Sequence, residues 1–146
     1  APAALAETIE SPQPSSGRDE AVAKAARLYE VLQNNAAVTD PEALRIRAES
    51  NYDRSYDPAA GARQVGAVLL ATPRAEALAV LTVPTLVIPG NRDPLIDISG
   101  GRRTAELVPG ATFLEVDGMG HDLAPVFWSQ YVDAVVAHVA AVETAG

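Results

Sequence analysis

Two short apolar runs separated by a helical stretch limit the possible folds of this chain more than any other feature. Residues 83–90 (VPTLVIPG) and residues 111–118 (ATFLEVDG) are bounded by proline or glycine, which is typical of strands buried on both faces of a parallel sheet. Residues 99–108 between them and residues 125–143 after them have helical patterns. The order strand, helix, strand, helix predicts a βαβα unit with two parallel strands.

The sequence before these strands predicts helices and no strand. Helical spacing and start signals favour four helices, over residues 19–34, 39–52, 57–71 and 72–81. Thr39 is the predicted N-cap of the second helix, with Glu42 completing a capping box. Two parallel strands do not form a stable sheet alone, because parallel strands need neighbours and covering helices. We therefore expect an α/β chain with an incomplete sheet, the last portion of a larger fold.

Three segments follow from these patterns. Residues 1–18 contain the proline- and serine-rich stretch SPQPSSGR, so we expect a flexible N-terminal segment. Residues 19–81 form a helical segment, and residues 82–146 form the βαβα unit.

Composition excludes several classes of function. A chain of 146 residues with 48% hydrophobic and 21% charged residues suits one domain with a buried core. Its net charge of -8, with Arg102 and Arg103 as an isolated basic pair, argues against a nucleic-acid partner and against an anionic membrane surface. No apolar run approaches the roughly 20 residues that span a bilayer. The absence of cysteine excludes disulfides and thiolate sites. We expect a soluble, cytoplasmic protein.

Polar side chains follow both predicted strands. Asp93 comes after the first strand, in the stretch PGNRDPL, and His121 comes after the second, in the stretch DGMGHDL. Ligands of open α/β sheets bind at the carboxyl ends of the strands, and neighbouring strands lie about 5 Å apart. A carboxylate that accepts a hydrogen bond from one imidazole nitrogen leaves the other nitrogen free to act as a general base. Asp93 and His121 are therefore the candidate catalytic residues.

Structural interpretations compete with this one. Asp93 alone is more often a turn residue, because Asp-Pro favours turns, and His121 alone is more often a surface loop residue. His138 lies among alanines and valines of the last predicted helix and is interpreted as a packing residue. Asp117 and Asp122 are interpreted as turn and capping residues. Two distant histidines without cysteine give no metal-binding cluster. Covalent catalysis through a carboxylate and an imidazole needs no organic cofactor either, so we expect neither a metal nor an organic cofactor.

Other side chains of note have structural interpretations as well. Arg63 and Gln64, which could face a substrate, are interpreted first as solvated or internally paired residues. Phe127 and Trp128 begin the last helix, where packing on the sheet explains them.

The quoted stretches resemble a known family. VPTLVIPGNRDPLID, GRRTAELVPGATFLEVDGMGHDL and the final helix resemble the C-terminal part of the α/β-hydrolase fold, over roughly residues 82–143. The stretch YDPAAGARQVGAVLLATPRAEAL is similar to the end of the helical cap in the esterase branch, near aclacinomycin methylesterases. The resemblance implies that Asp93 is the acid and His121 the base of a catalytic triad. It also implies that residues 19–81 are a cap or lid.

The nucleophile of that family is missing from this sequence. The family's G-x-S-x-G elbow precedes the cap, and no serine here lies in such a motif. Asp97 and Pro89 also depart from the family, which often has proline and histidine at those positions. The one methionine, Met119, is internal. We expect an N-terminal half outside this sequence to supply the serine and the oxyanion-hole loop, and this chain alone to be inactive.

The expected activity is hydrolysis of a small carboxylic ester by a serine hydrolase, with Asp93 and His121 contributed by this chain. Two alternatives stay open. Haloalkane dehalogenases and cofactor-free haloperoxidases share this C-terminal part, and only the missing nucleophile elbow separates them from esterases. An aspartate there would indicate a dehalogenase, whereas a serine would favour the esterase. A non-catalytic binding module would have the same fold and no turnover.

Overall fold

The computed structural model describes residues 17–145. All but the last two residues of the predicted flexible segment, residues 1–18, lie outside the described part. The helices in chain order are α1 (Arg18–Gln33), α2 (Pro41–Arg54), α3 (Ala60–Leu69), α4 (Ala75–Ala79), α5 (Ile98–Leu107) and α6 (Trp128–Ala145). The strands are β1 (Leu86–Val87), between α4 and α5, and β2 (Thr112–Phe113), between α5 and α6. A 3-10 turn, Pro125–Phe127, leads into α6.

Helices α1 and α2 pack against each other. Their contact buries apolar side chains of both helices: Ala21, Val22, Leu44 and Ala48. Where α1 begins and α2 ends, the guanidinium of Arg18 donates to both carboxylate oxygens of Asp53, at 2.8 and 2.7 Å. Helix α1 ends at Asn34, which has the left-handed conformation (φ 46°) that often closes helices.

The predicted N-cap of α2 was wrong by one residue. Asp40 caps the helix, and its carboxylate accepts hydrogen bonds from the backbone N–H of Glu42 and of Ala43. Pro41 is the first helical residue, which makes the residue before it the cap. The hydroxyl of Thr39 donates instead to the carbonyl of Asn35 at 2.9 Å, within the loop between the helices.

Helices α3 and α4 are shorter than predicted and bury none of their residues in the described part of the chain. In the turn before α3, the carboxylate of Asp57 accepts from the N–H of Ala59 and pairs with Arg63 at 2.5 Å. The side chain of Leu69 is 79% exposed. The apolar side chains at the end of α3, Val68 and Leu69, therefore have no covering surface in the described part of the chain.

The two strands are parallel, as predicted, and short. Leu86 pairs with Thr112 and Val87 pairs with Phe113. The pairing is extended beyond the strands by an isolated bridge between Gly90 and Val116. A right-handed crossover is the usual connection between such strands, and here α5 lies between them in sequence.

Helix α6 faces the strands with small side chains. Ala134, Ala137 and His138 line a cavity of about 310 Å³ together with Leu86 and Phe113. The valines of α6 lie on its other faces and stay exposed: Val132, Val135, Val136, Val139 and Val142. No helix in residues 17–145 is both long and apolar enough to cross a membrane.

Candidate active site

The loops that follow β1 and β2 lie side by side at the carboxyl edge of the sheet. The bridge between Gly90 and Val116 begins this contact, and the N–H of Arg92 donates to the carbonyl of Met119 at 2.9 Å. A Cβ atom at Gly90 would overlap the carbonyl oxygen of Met119. Glycine at position 90 therefore allows the two loops to approach this closely.

The structure brings Asp93 and His121 together across this edge. Nδ1 of His121 lies 2.8 Å from Oδ2 of Asp93, although the two residues are 28 positions apart. A carboxylate only accepts hydrogen bonds, so Nδ1 carries the shared proton and Nε2 is the nitrogen that can accept another. The side chain of Asp93 is 13% exposed and that of His121 is 38% exposed. The acid is thus shielded, whereas the imidazole is reachable.

Backbone donors hold the carboxylate of Asp93 in place. Its other oxygen, Oδ1, accepts from the N–H groups of Leu95 and Ile96, both at 2.8 Å. This is the Asx turn that an Asp-Pro stretch predicts. The turn and the pairing with His121 use different oxygens of one carboxylate, so the structural interpretation and the catalytic one are compatible.

The neighbouring acids have structural partners. Asp117 accepts from the side-chain amide of Asn91 at 2.8 Å, and Oδ1 of Asn91 accepts from the N–H of Gly118 at 2.9 Å. Asp122 forms an ion pair with Arg47 of α2 at 2.6 Å. Arg47 also lies over the ring of Tyr29 in α1, 4.4 Å from the ring centre. These contacts order the histidine loop from two sides.

Sequence reasoning did not find the contacts of the α1 terminus. The N–H of His121 donates to the carbonyl of Leu32 at 2.8 Å. Asn34 donates to the carbonyl of Arg92, and Asn35 donates to the carbonyl of Gly118, both at 2.8 Å. The signal available in the sequence was the pair Asn-Asn after a helical stretch, because asparagine often ends helices. That signal gives the helix end and not its partners, which are far away in sequence.

A cavity of about 320 Å³ lies next to the aspartate loop. Pro94 lines it together with Asn34, Asn35 and Thr39 from the α1 terminus and the loop after it. No residue of α3 lines this cavity.

Asp97 and His138 lie outside the pairing of Asp93 with His121. Asp97 caps α5. The pKa of its carboxyl is lowered, mainly by a hydrogen bond from the hydroxyl of Ser99 and to a smaller extent by one from the N–H of Ser99. His138 faces the strands from α6. In residues 17–145, no group of three or more histidine, aspartate or glutamate side chains is arranged to bind a metal ion.

Solved structures with similar backbones were found. An esterase from Exiguobacterium antarcticum matches with a TM-score of 0.67 and 17% identity, over 92% of this chain and 47% of that protein. A meta-cleavage product hydrolase from Pseudomonas fluorescens matches with a TM-score of 0.65 and 19% identity, over 96% of this chain and 50% of that protein. The chain has the fold of the C-terminal part of an α/β-hydrolase. An esterase from a Rhodococcus species matches with a TM-score of 0.62 and 21% identity, over 92% of this chain and 48% of that protein.

The α/β-hydrolase fold confirms the predicted fold class, including the incomplete sheet. The chain spans about half the length of each solved structure that it resembles. No family model matches the sequence. At these identities the likeness establishes the fold, and the roles of Asp93 and His121 stay predictions.

Proposed function

We propose that this chain is the cap and C-terminal segment of a serine hydrolase that cleaves small carboxylic esters. The observation that carries the proposal is the 2.8 Å contact between Nδ1 of His121 and Oδ2 of Asp93 at the carboxyl edge of the sheet. Acid and base follow the last two strands in this order in α/β-hydrolases, where the nucleophile precedes both. The division into a cap over residues 19–81 and a core segment over residues 82–146 is part of the proposal.

The geometry supports a defined role for each side chain. Asp93 holds the proton on Nδ1 of His121 and stabilises the imidazolium as it forms. Nε2 then takes the proton of the nucleophilic serine hydroxyl while the serine oxygen attacks the ester carbonyl. The imidazolium returns this proton to the departing alkoxide, and water hydrolyses the acyl-enzyme with His121 again as the base. Acyl transfer of this kind requires neither a metal ion nor an organic cofactor.

The serine is proposed to come from an N-terminal half that completes the sheet. Two observations support this: β1 and β2 form a sheet of two strands, and the chain spans about half the length of the structures that it resembles. The resemblance of residues 56–78 to the cap of aclacinomycin methylesterases favours an ester over an amide as substrate. A cytoplasmic location stays a prediction from the sequence.

Labelling with a fluorophosphonate probe tests the proposal in the longer protein that carries this chain. We expect one labelled serine, located before residue 1 of this chain. Asp93→Asn is expected to lower kcat for a small ester about 10⁴-fold, because an amide in place of the carboxylate favours the wrong tautomer of the imidazole and does not stabilise the imidazolium. His138→Gln is the matched control, since this side chain does not belong to the proposed triad and faces the strands from α6, and it should retain activity.

Three outcomes would favour other functions. An aspartate at the nucleophile position, with release of halide from a haloalkane, would indicate a dehalogenase. Halide oxidation with peroxide by the labelled protein would indicate a haloperoxidase. A correctly folded protein with no labelled serine and no aspartate at the nucleophile position would indicate a binding module. The serine-hydrolase proposal would then be wrong.

A further inference from the structure

The C-terminal end of α1 contacts both loops of the candidate site. The side-chain amide of Asn34 donates to the carbonyl of Arg92, the residue before Asp93, at 2.8 Å. The side-chain amide of Asn35 donates to the carbonyl of Gly118, in the loop that carries His121, also at 2.8 Å. Two consecutive residues of the helical segment therefore hold one carbonyl of each loop.

The histidine loop and the last turn of α1 are in direct backbone contact. A Cβ atom at Gly120 would overlap the carbonyl oxygens of Leu32 and Gln33, so the histidine loop touches the last turn of α1 with its backbone. Gln33 is 4% exposed, which shows that the end of the helix is buried here. Because close-packed surfaces transmit small shifts, the position of the α1 terminus determines the position of both loops.

We propose that Asn34 and Asn35 are positioning residues that set the distance between Asp93 and His121. This inference rests on the proposed function for its consequence in catalysis. The two triad side chains belong to different loops, and a catalytic group must be held within about 0.5 Å of its productive position. Asn34 fixes the aspartate loop and Asn35 fixes the histidine loop to the same helix end.

Asn34 and Asn35 also have local roles that must be separated from the proposed one. Asn34 ends α1 in the left-handed conformation, and Oδ1 of Asn35 accepts from the N–H of Ala37 at 3.2 Å. Asn34→Gly keeps the left-handed conformation and removes only the amide, because glycine adopts positive φ without strain. Asn35→Ala removes both the amide donor to Gly118 and the acceptor of the Ala37 N–H, so its local effect is judged by circular dichroism. Asn51→Ala is the matched control, since this amide donates to the hydroxyl of Tyr29 between α1 and α2 and touches neither loop.

The experiment measures the Nδ1 proton of His121 by ¹⁵N and ¹H NMR in the full 146-residue chain. The chain has two histidines, so His138→Gln assigns the signals. We expect a protected Nδ1 proton in the unsubstituted chain and in Asn51→Ala. In the Asn34→Gly/Asn35→Ala variant we expect loss of this signal and ring nitrogen shifts that indicate a mixture of tautomers. Circular dichroism checks that each variant is folded, and the single variants provide the test if the double variant is not.

Activity in the longer protein gives the second readout. The double variant should lower kcat about 10- to 100-fold with little change in KM, because misplacement of about 1 Å has an effect of that size. A folded double variant that keeps the Nδ1 proton signal would overturn the positioning role. Loss of the signal in a protein without a labelled serine would support the positioning role and reject the hydrolase function. A folded unsubstituted chain, as judged by circular dichroism, that lacks the signal would count against both.

Discussion

At the scale of single residues, two glycines set how closely the loops of the candidate site approach their neighbours. Gly90 lies against the carbonyl of Met119, and Gly120 lies against the last turn of α1. Neither has a positive φ, so the requirement is for space and not for backbone conformation. Any side chain at these positions must displace backbone, which is costlier than moving the end of a flexible side chain.

Gly120→Ala should lower the free energy of unfolding by about 1–3 kcal/mol, the usual cost of overpacking. The reason is that the new methyl group would overlap two carbonyl oxygens of α1. Urea unfolding followed by circular dichroism measures the change. Gly61→Ala in α3 is the control, because no atom outside the backbone of its own helix lies within 4 Å of the place that its new methyl group would occupy. It should raise the stability by about 0.4–1 kcal/mol, and equal losses in both variants would contradict the overpacking explanation.

The sequence identified Asp93 and His121 because both follow strand-like runs, and the geometry of parallel sheets brings such positions together. It did not identify Asn34 or Asn35, whose partners lie 58 and 83 positions away. The acceptor in each case is a backbone carbonyl, which every residue has, so the sequence does not mark which residue accepts the hydrogen bond. Contacts of this kind follow only from the packed structure.

At the scale of elements, the start of α2 depends on which residue precedes Pro41. The carboxylate of Asp40 accepts two backbone N–H groups of the first turn, whereas the hydroxyl of Thr39 points to the preceding loop. The capping-box pattern T-x-x-E misled the prediction, because it placed proline at the second helical position. Proline is favoured at the first helical position, which selects Asp40 as the cap.

Asp40→Ala should lower the free energy of unfolding by about 0.5–2 kcal/mol, the cost of removing an N-cap. Thr39→Ala is the comparison, and it should have the smaller effect because it removes one hydrogen bond outside the helix. Thermal unfolding of both variants under identical conditions measures the difference. A larger loss for Thr39→Ala would show that the helix starts one residue earlier.

The ion pair between Arg18 and Asp53 predicts a stabilisation that is lost in acid. Hydrogen bonds from Arg18 hold the pKa of Asp53 below its usual value. As the pH falls through the ordinary carboxyl range, about 4, the unfolded chain therefore binds a proton more readily than the folded chain. The contribution of the pair is complete above that range and disappears as the pH falls through the lower pKa of the folded state.

Thermal midpoints of the parent chain and of Asp53→Asn should therefore converge as the pH is lowered from about 6 to about 3. The parent should unfold at the higher temperature near pH 6, by a small margin because the pair is largely exposed. The thermal midpoints of the parent chain and of Arg18→Gln should converge in the same way, because this substitution removes the other partner of the ion pair. A difference that stays constant with pH would mean that the ion pair does not contribute to stability.

The predicted helices agree with the observed ones except at their ends. Each strand was predicted to have eight residues and has two in the structure. Helical hydrogen bonds are local, so a helical pattern contains most of the information that the element needs. A strand is defined by its neighbours, and β1 has β2 as its partner within the described residues. The apolar run at residues 83–90 fits a strand with partners on both sides, which the two-stranded sheet does not provide.

At the scale of the whole molecule, several large apolar side chains of the described residues are exposed. Val132, Val136 and Trp128 on α6 are each more than half exposed, as is Leu69 on α3. Monomeric proteins rarely expose contiguous apolar patches of large size, so such faces usually meet another surface. The proposed N-terminal half would provide that surface and the strand next to β1.

Val136→Lys distinguishes a covered face from an exposed one. In the isolated chain the side chain is 61% exposed, so the substitution should change the free energy of unfolding by less than about 0.5 kcal/mol. In the longer protein the same substitution should cost about 1.5–3 kcal/mol or more, because a buried valine is lost and a charge is placed in an apolar contact. Urea unfolding of both proteins measures the two values.

Gln130→Lys, at an exposed polar position of the same helix, controls for the added charge and should be nearly neutral in both proteins. The informative quantity is the difference between the two contexts, since it cancels the helix propensities of valine and lysine. A context-independent effect of Val136→Lys would mean that this face of α6 stays exposed in the longer protein. The N-terminal half would then have to complete the sheet from the β1 edge without covering the valines of α6.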